Sequence, residues 1–280
     1  MEELIKRAEI LIEALPYIKT FYGQTIVIKY GGAAMTDEKP KKSFAQDIVL
    51  LRYVGMKPVI VHGGGPHITN LMERVGKKAE FIGGLRVTDE ETMELTEMVL
   101  SGKVNSEIVS LINRGGAKAV GISGIDGVLI RVSKLKDELG LVGKIDKISP
   151  GIIKTLDEAG FIPVVAPIGL GQDEKHYNIN ADVVACELAI SLAASKLIFL
   201  TDTKGILKEG SLLSTIKAGQ IEDLIKEGTI KEGMIPKAKA ASKAIFSGVD
   251  KVHILDGRIS HVLLLELFTD RGIGTEVVGQ

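Results

Sequence analysis

Apolar residues at Leu4, Ala8, Leu11, Ile12 and Leu15 recur at steps of three and four, a spacing that predicts an amphipathic helix ahead of the first strand. Its apolar stripe needs a partner surface. From Thr25 onward, short β-branched runs alternate with longer helical ones. TIVIKY precedes a helix over Ser43 to Tyr53, KPVIVHG precedes one over Pro66 to Val75, and AKAVGIS, FIPVVAPIG, KLIFLTD and KVHIL follow. Strands apolar on both faces and separated by helices describe a mostly parallel sheet covered on both sides, an α/β fold. Thr88 with Glu91 reads as a capping box that opens a long helix towards Asn113, ended by Gly115 and Gly116. The stretch GVLIRVSKLKDELGLVGKIDKIS alternates over shorter distances between glycine turns and predicts antiparallel hairpins at the margin of the sheet. Polar, glycine-rich GLGQDEK, from Gly169 to Lys175, is the candidate boundary between two lobes. There is no internal repeat and no low-complexity segment.

Composition narrows the function classes. A chain of 280 residues with 45% hydrophobic content can bury a full core as one large α/β domain or two lobes. Thirty-five basic against 36 acidic residues, a net charge of −1, leave no basic stripe to neutralise nucleic-acid phosphates, so nucleic acid is not an expected partner. The single cysteine, Cys186, excludes an intrachain disulfide, and its apolar neighbours predict a buried thiol. Acidic residues at the start and Pro16 do not fit a signal peptide. No run approaches the roughly 18 to 20 apolar residues that span a bilayer. These features point to a reduced, cytoplasmic setting without membrane contact.

Two glycine clusters follow predicted strands: Gly31 and Gly32 after TIVIKY, and Gly63, Gly64 and Gly65 after KPVIVH. Glycine there lets bare backbone N–H groups approach an anion, and a helix start just beyond adds its dipole. A strand followed by two glycines is also an ordinary tight turn. The sequence GxxxxGK[ST] is absent, and Ile68 stands where a dinucleotide fingerprint needs its last glycine, which disfavours P-loop enzymes and simple dehydrogenases. Lys29, near the end of its strand, sits either at the mouth of the sheet where ligands bind or in solvent. Asn178, Asn180 and Asp182 occupy alternate positions before an apolar helix. One such residue caps a helix; three exceed what a cap requires, and an acid facing two lysines could hold both. Pro236 suits the first turn of a helix, and Lys237 beside it is an unfavourable cation at a helix N-terminus unless an anion binds there. Arg86 follows a glycine pair and could clamp a carboxylate in bidentate fashion, or lie on the surface of a hairpin. His62, His67, His176, His253 and His261 show no metal-ligand spacing, and neither a nucleophile elbow nor the protein-kinase HRD and DFG set is present.

Taken in order, IVIKYGG, VIVHGGGP, GLRVTDEET, NINADVVA, FLTDTKGIL and GMIPKAKAA resemble the amino-acid kinase superfamily, and within it the acetylglutamate kinases. The resemblance runs from about Lys29 to Thr275. It implies a three-layer αβα sandwich around an open, mainly parallel eight-stranded sheet, with residues 25–170 as the acyl-substrate lobe and residues 171–280 as the ATP lobe. It implies that Lys29 and Lys237 stabilise the phosphoryl group in transit and that Asp182 organises them. Gly31, Gly32, Gly63 and Gly233 fall near the phosphates; Gly64, Gly65, Arg86, Asn178 and Asn180 fall around the acyl substrate. One departure concerns Glu232, which stands where the family has a glycine before Gly233 and would place an acid near the nucleotide.

The implied substrates are ATP, with Mg2+ carried by the nucleotide, and N-acetyl-L-glutamate. Members with a helix before the first strand resemble this chain in residues 1–24, which implies a ring-shaped homohexamer inhibited by L-arginine near Lys196, Glu266, Gly272 and Gly274. Competing readings are another carboxylate kinase of the superfamily, a non-catalytic arginine sensor on the same fold, or a nucleotide-binding oxidoreductase.

Overall fold

A computed structural model describes residues 1–35, 37–269 and 272–279, with the side chains of Arg7 and Ala33 outside the description. Helix α1 (Glu2–Phe21) leads into β1 (Thr25–Tyr30), a 3-10 turn (Gly32–Met35), α2 (Glu38–Tyr53), β2 (Lys57–His62) and α3 (Gly65–Arg74). A short hairpin, β3 (Phe81–Ile82) and β4 (Leu85–Arg86), precedes α4 (Glu90–Glu97), a π-helical turn (Met98–Val104), α5 (Asn105–Arg114) and β5 (Ala119–Ser123). Then come β6 (Ile130–Lys134), β7 (Gly143–Ile148), α6 (Gly151–Glu158), β8 (Ile162–Ala166), β9 (Ile168–Gly171), β10 (His176–Asn178), α7 (Ala181–Ser191) and β11 (Lys196–Thr201). The chain closes with β12 (Leu207–Lys208), β13 (Ser211–Leu212), β14 (Thr215–Lys217), α8 (Ile221–Lys226), α9 (Met234–Phe246), β15 (Lys251–Asp256), α10 (Val262–Leu267) and β16 (Thr275–Val278).

Among the described residues, eight strands form the main sheet in the order β14, β16, β15, β11, β1, β2, β8, β5. The six from β15 to β5 are parallel, while β16 runs against β15 and carries β14 alongside itself. This is the open, mainly parallel sheet that the alternation of strands and helices predicts. Strand periodicity divides the core. Ile26, Ile28 and Tyr30 of β1 face Phe44, Ile48 and Leu51 of α2 and Ile112 of α5. Val27 faces the other layer, with Val184 and Leu188 of α7 and Ala241 of α9. These side chains are almost fully buried, and each contributes about 1.5–3 kcal/mol of transfer free energy if it is a Val, Leu, Ile or Phe. Cys186 lies in this second layer, where its thiol donates to the Ala240 carbonyl and burial pushes its pKa up to about 12. No helix of the described residues is long and apolar enough to cross a membrane.

Three sequence readings change. The stretch around residues 130–148 does form an antiparallel pair, β6 with β7, but in a separate four-stranded sheet ordered β10, β9, β6, β7 rather than at the margin of the main one. The helix from Glu90 to Arg114 is not uniform α-helix, because Met98–Val104 winds as a π turn. Its N-cap is Asp89, not Thr88. Asp89 accepts from the Thr92 N–H at 2.7 Å, whereas the Thr88 hydroxyl is fully buried and donates to the Arg86 carbonyl at 2.9 Å. Threonine at 88 is withdrawn into the core because its backbone pairs with Leu139 and Leu141.

Asp89 also receives Lys77 at 2.7 Å. Lys77 and the Thr92 contact hold its carboxyl down from the ordinary 3.8 to about 2. The stabilisation is therefore present above the unfolded value and is lost as pH falls towards about 2. Because the side chain is 62% exposed, solvent screens the ion pair and the cap dominates. Asp89→Ala is expected to cost about 1 kcal/mol at neutral pH, with the gap to wild type closing as denaturant melts are repeated towards pH 2.

Candidate active site

The C-terminal ends of β1 and β2 deliver the chemistry. Lys29 lies on the α7 face of β1, and its side chain packs over Gly31, where an added Cβ would sit 2.7 Å from the ammonium nitrogen and displace it. Opposite stands Asp182 in the first turn of α7, 5% exposed. Its Oδ1 is 3.0 Å from Lys29 Nζ and its Oδ2 is 3.0 Å from Lys237 Nζ, the latter reaching in from the first turns of α9. Burial alone would raise the Asp182 pKa, but the two ammonium groups outweigh it and hold the carboxyl below the usual carboxylate range. One anion thus fixes two cations whose surplus positive charge faces an open cavity.

That cavity, about 210 Å³, is lined by Lys29, Gly63, Gly64, Gly65, Arg86, Asn178, Asn180 and Asp182, with Leu100, Pro167 and Ile179 among its apolar walls. Arg86 is buried rather than on the hairpin surface. Its Nη2 donates to the Gly65 carbonyl at 3.0 Å and to Thr69 Oγ1 at 2.7 Å, Nη1 lies 3.2 Å from the sulfur of Met72, and the Phe81 ring stacks 4.8 Å away. Burial lowers its pKa, yet a guanidinium keeps its charge at any ordinary pH. A buried cation held along one edge is ready to meet a carboxylate. Asn178 donates to Thr88 Oγ1 at 3.3 Å. Asn180 is the N-cap of α7, accepting from the N–H groups of Asp182 and Val183, so the cap accounts for its side-chain oxygen.

A second cleft of about 750 Å³ shares Asn180 and Asp182 with the first and adds Glu232, Gly233, Pro236 and Lys237. Glu232 takes a left-handed backbone with φ +42°. Gly32, with φ +69°, opens the 3-10 turn after β1, where a Cβ would have Asp202 N 3.8 Å away. Lys29, Asp182 and the acyl-site candidates therefore converge on one mouth, together with Gly63, and Lys237 and Gly233 border the adjoining cleft. The apolar walls and Thr88 were not legible beforehand, because nothing in their spacing distinguishes them from core. Among the described residues no group of three or more His, Cys, Asp or Glu could hold a metal ion.

The four remaining candidates lie elsewhere, with Lys196 at the start of β11. It is 7% exposed; its Nζ is 3.0 Å from His253 Nε2 and 5.0 Å from the Phe21 ring at the end of α1. His253 Nδ1 is 2.7 Å from Glu266 Oε1, and Glu266 accepts from the Ile273 N–H. A Cβ on Gly272 would meet Glu266 at 3.4 Å, and one on Gly274 would strike the Ile254 carbonyl at 2.3 Å. Burial pushes Lys196 down to about 8 and lowers His253 as well. His253, which joins Lys196 to Glu266, had no sequence signal.

The open, mainly parallel sheet is that of one class of phosphotransferases, and sequence comparison agrees: the chain belongs to the Amino acid kinase family, whose profile matches residues 24–256. Relatives named acetylglutamate kinase include that of Syntrophobacter fumaroxidans, 51% identical over 98% of this chain and 97% of its own. That of Aquifex aeolicus is 52% identical over 99% of both chains. Among solved structures, N-acetylglutamate synthase from Neisseria gonorrhoeae, complexed with coenzyme A and N-acetyl-glutamate, superposes with a TM-score of 0.87 at 27% identity. The match covers 98% of this chain but only 63% of that one.

Asp182→Asn leaves the buried Lys29 ammonium and the half-buried Lys237 ammonium without their anion. It is expected to destabilise the fold by about 3 kcal/mol in urea unfolding.

Proposed function

We propose that the protein transfers the γ-phosphoryl group of Mg-ATP to the side-chain carboxylate of N-acetyl-L-glutamate, giving the acyl phosphate and ADP. The observation that carries this reading is Asp182 held 3.0 Å from both Lys29 and Lys237 at the mouth of a cavity whose wall contains the buried Arg86. The attacking carboxylate oxygen is ionised near pH 7, so no general base is needed. It bonds to the γ-phosphorus as the bond to the β–γ bridging oxygen breaks, and ADP leaves with that electron pair. Charge spreads over the equatorial oxygens, where Lys29, Lys237 and backbone N–H groups act. Arg86 takes the α-carboxylate, with Asn178 beside it. Residues 25–170 then hold the acyl substrate and residues 171–280 the nucleotide, with Gly31, Gly32 and Gly233 along the phosphates. Names of relatives at 51–52% identity support the acceptor.

The finer reading extends to regulation in the cytoplasm. Leu4, Ile5, Ile10, Leu11, Ile12 and Leu15 of α1 are all largely exposed, as a helix that interlaces with another copy requires. The cluster of Lys196, His253 and Glu266 lies beside the end of that helix. It offers a carboxylate for the guanidinium of L-arginine, with Gly272 against that carboxylate and Gly274 against the Ile254 carbonyl. Arginine then inhibits a homohexamer by binding one ring state better than the other.

A coupled ADP-release assay with a panel of carboxylates tests the chemistry: N-acetyl-L-glutamate should be the preferred acceptor. Lys29→Ala and Lys237→Ala should each lower kcat by roughly 100- to 1000-fold, and wild-type turnover in both would end the proposal. Arg86→Ala should mainly raise the acceptor KM. Removal of residues 1–20 should give an active dimer insensitive to arginine; a truncated hexamer that arginine still inhibits would refute the role of α1.

A further inference from the structure

One buried group beside the site has no part in the chemistry above. His62, the last residue of β2, is fully buried, and an imidazole sealed in a core is costly unless both nitrogens find partners. Nδ1 lies 2.9 Å from the Gly63 carbonyl oxygen, and Nε2 lies 3.1 Å from Nδ2 of Asn105. Asn105, 5% exposed, also places Nδ2 2.9 Å from the Val164 carbonyl oxygen. Chemistry then assigns every proton. A carbonyl only accepts, so Nδ1 carries the hydrogen and Nε2 is the acceptor; the two hydrogens of the Asn105 amide serve Nε2 and Val164. The ring is neutral, with burial pushing its pKa down to about 4. Asn105 itself is wedged in place, since a Cβ on Gly121 of β5 would fall 1.7 Å from its Oδ1.

The consequence is geometric. The carbonyl of Gly63 and the N–H of Gly64 belong to one planar trans peptide and point in opposite directions. Along β2, His62 shares a face with Ile60, towards α5, whereas Lys29 shares a face of β1 with Val27, towards α7. An oxygen pinned on the His62 side turns the Gly64 N–H towards the Lys29 side, across the cavity mouth that Gly64 lines. The N–H of Gly63 is bonded to the Tyr30 carbonyl at 2.8 Å, which fixes the residue's other end. The π turn before Asn105 closes the remaining side: a Cβ on Gly64 would come within 2.4 Å of Leu100 Cδ2. π turns of this kind recur at functional sites.

We propose that His62, locked by Asn105, is a positioning residue that aims the Gly64 N–H at the phosphoryl group in transit. The inference rests on the phosphoryl-transfer reading and names the part of the fold that sets its backbone donor. A donor preorganised towards the transferring group acts in the transition state, so its loss appears in kcat rather than in KM.

Steady-state kinetics on three variants test this, with thermal melting to confirm the folded fraction. His62→Leu, which removes both nitrogens, should lower kcat at least ~10-fold while the KM values for ATP and N-acetyl-L-glutamate stay within about threefold. His62→Asn, whose amide can still donate to the Gly63 carbonyl, should recover most of the loss. Asn105→Leu, which frees the ring without touching the glycine turn, should reproduce the kcat signature, and it is read by the same criterion if His62→Leu does not fold. Wild-type kcat in the folded Leu variants, or no recovery in His62→Asn, overturns the positioning role alone. A wild-type enzyme that releases no ADP with any carboxylate overturns the phosphoryl-transfer reading and this inference with it.

Discussion

Asp182 is one buried anion shared by two lysines that arrive from different helices and strands, and the geometry of the site follows from that sharing. Lys29 comes from the central strand β1 and Lys237 from α9, more than two hundred positions later, yet both ammonium groups stop 3.0 Å from the same carboxylate. Without the anion, two cations in so small a buried volume would repel; with it, they are fixed and one positive charge remains uncompensated. A multiply charged phosphoryl group is the kind of ligand such a surplus favours. The carboxylate also joins α7 to β1 and α9, which ties the two halves of the chain at the point where their substrates are proposed to meet.

Around this ion triplet the protein offers backbone rather than nucleophiles. A Cβ on Gly31 would press on the end of the Lys29 side chain and one on Gly64 on the end of Leu100, so either substitution would displace that side chain. Space against a side chain, not a left-handed backbone, favours glycine at these two positions, since neither residue is in the left-handed region. The Arg86 side of the cavity is built by different means. Arg86 is buried, with three contacts to α3, and two residues on Thr88 is held through Leu139 and Leu141 of the connection between β6 and β7. The small second sheet, carrying Asn178 on β10, is therefore part of the site's frame.

The opposite ends of the strands carry a different kind of cluster. Lys196, His253 and Glu266 are all buried where β11 and β15 begin and α10 ends, on the far side of the parallel sheet from Lys29, which pairs in register with Phe199 while Lys196 pairs with Ile26. Phe21 of α1 lies over the Lys196 ammonium. A charged cluster touched by an otherwise exposed helix gives that helix a defined attachment at one end, with its apolar residues left for another surface.

Period and composition alone carried most of the fold. Runs such as TIVIKY and KPVIVH are apolar on both faces, so they could only be interior strands, and their alternation with helices left a parallel sheet as the consistent answer. Lys29, Asp182 and Lys237 were legible because each is chemically out of place in its segment: a lysine in an apolar strand, a surplus acid at a capped helix start, a cation at a helix N-terminus. The cap at Asp89, the π turn, the separate sheet and the partners of His62 and His253 were not, because each depends on contacts between residues far apart in the chain. Burial decides them: a hydroxyl, an imidazole or a helical turn settles according to which distant carbonyl or side chain reaches it first, and a one-dimensional pattern holds no record of that encounter.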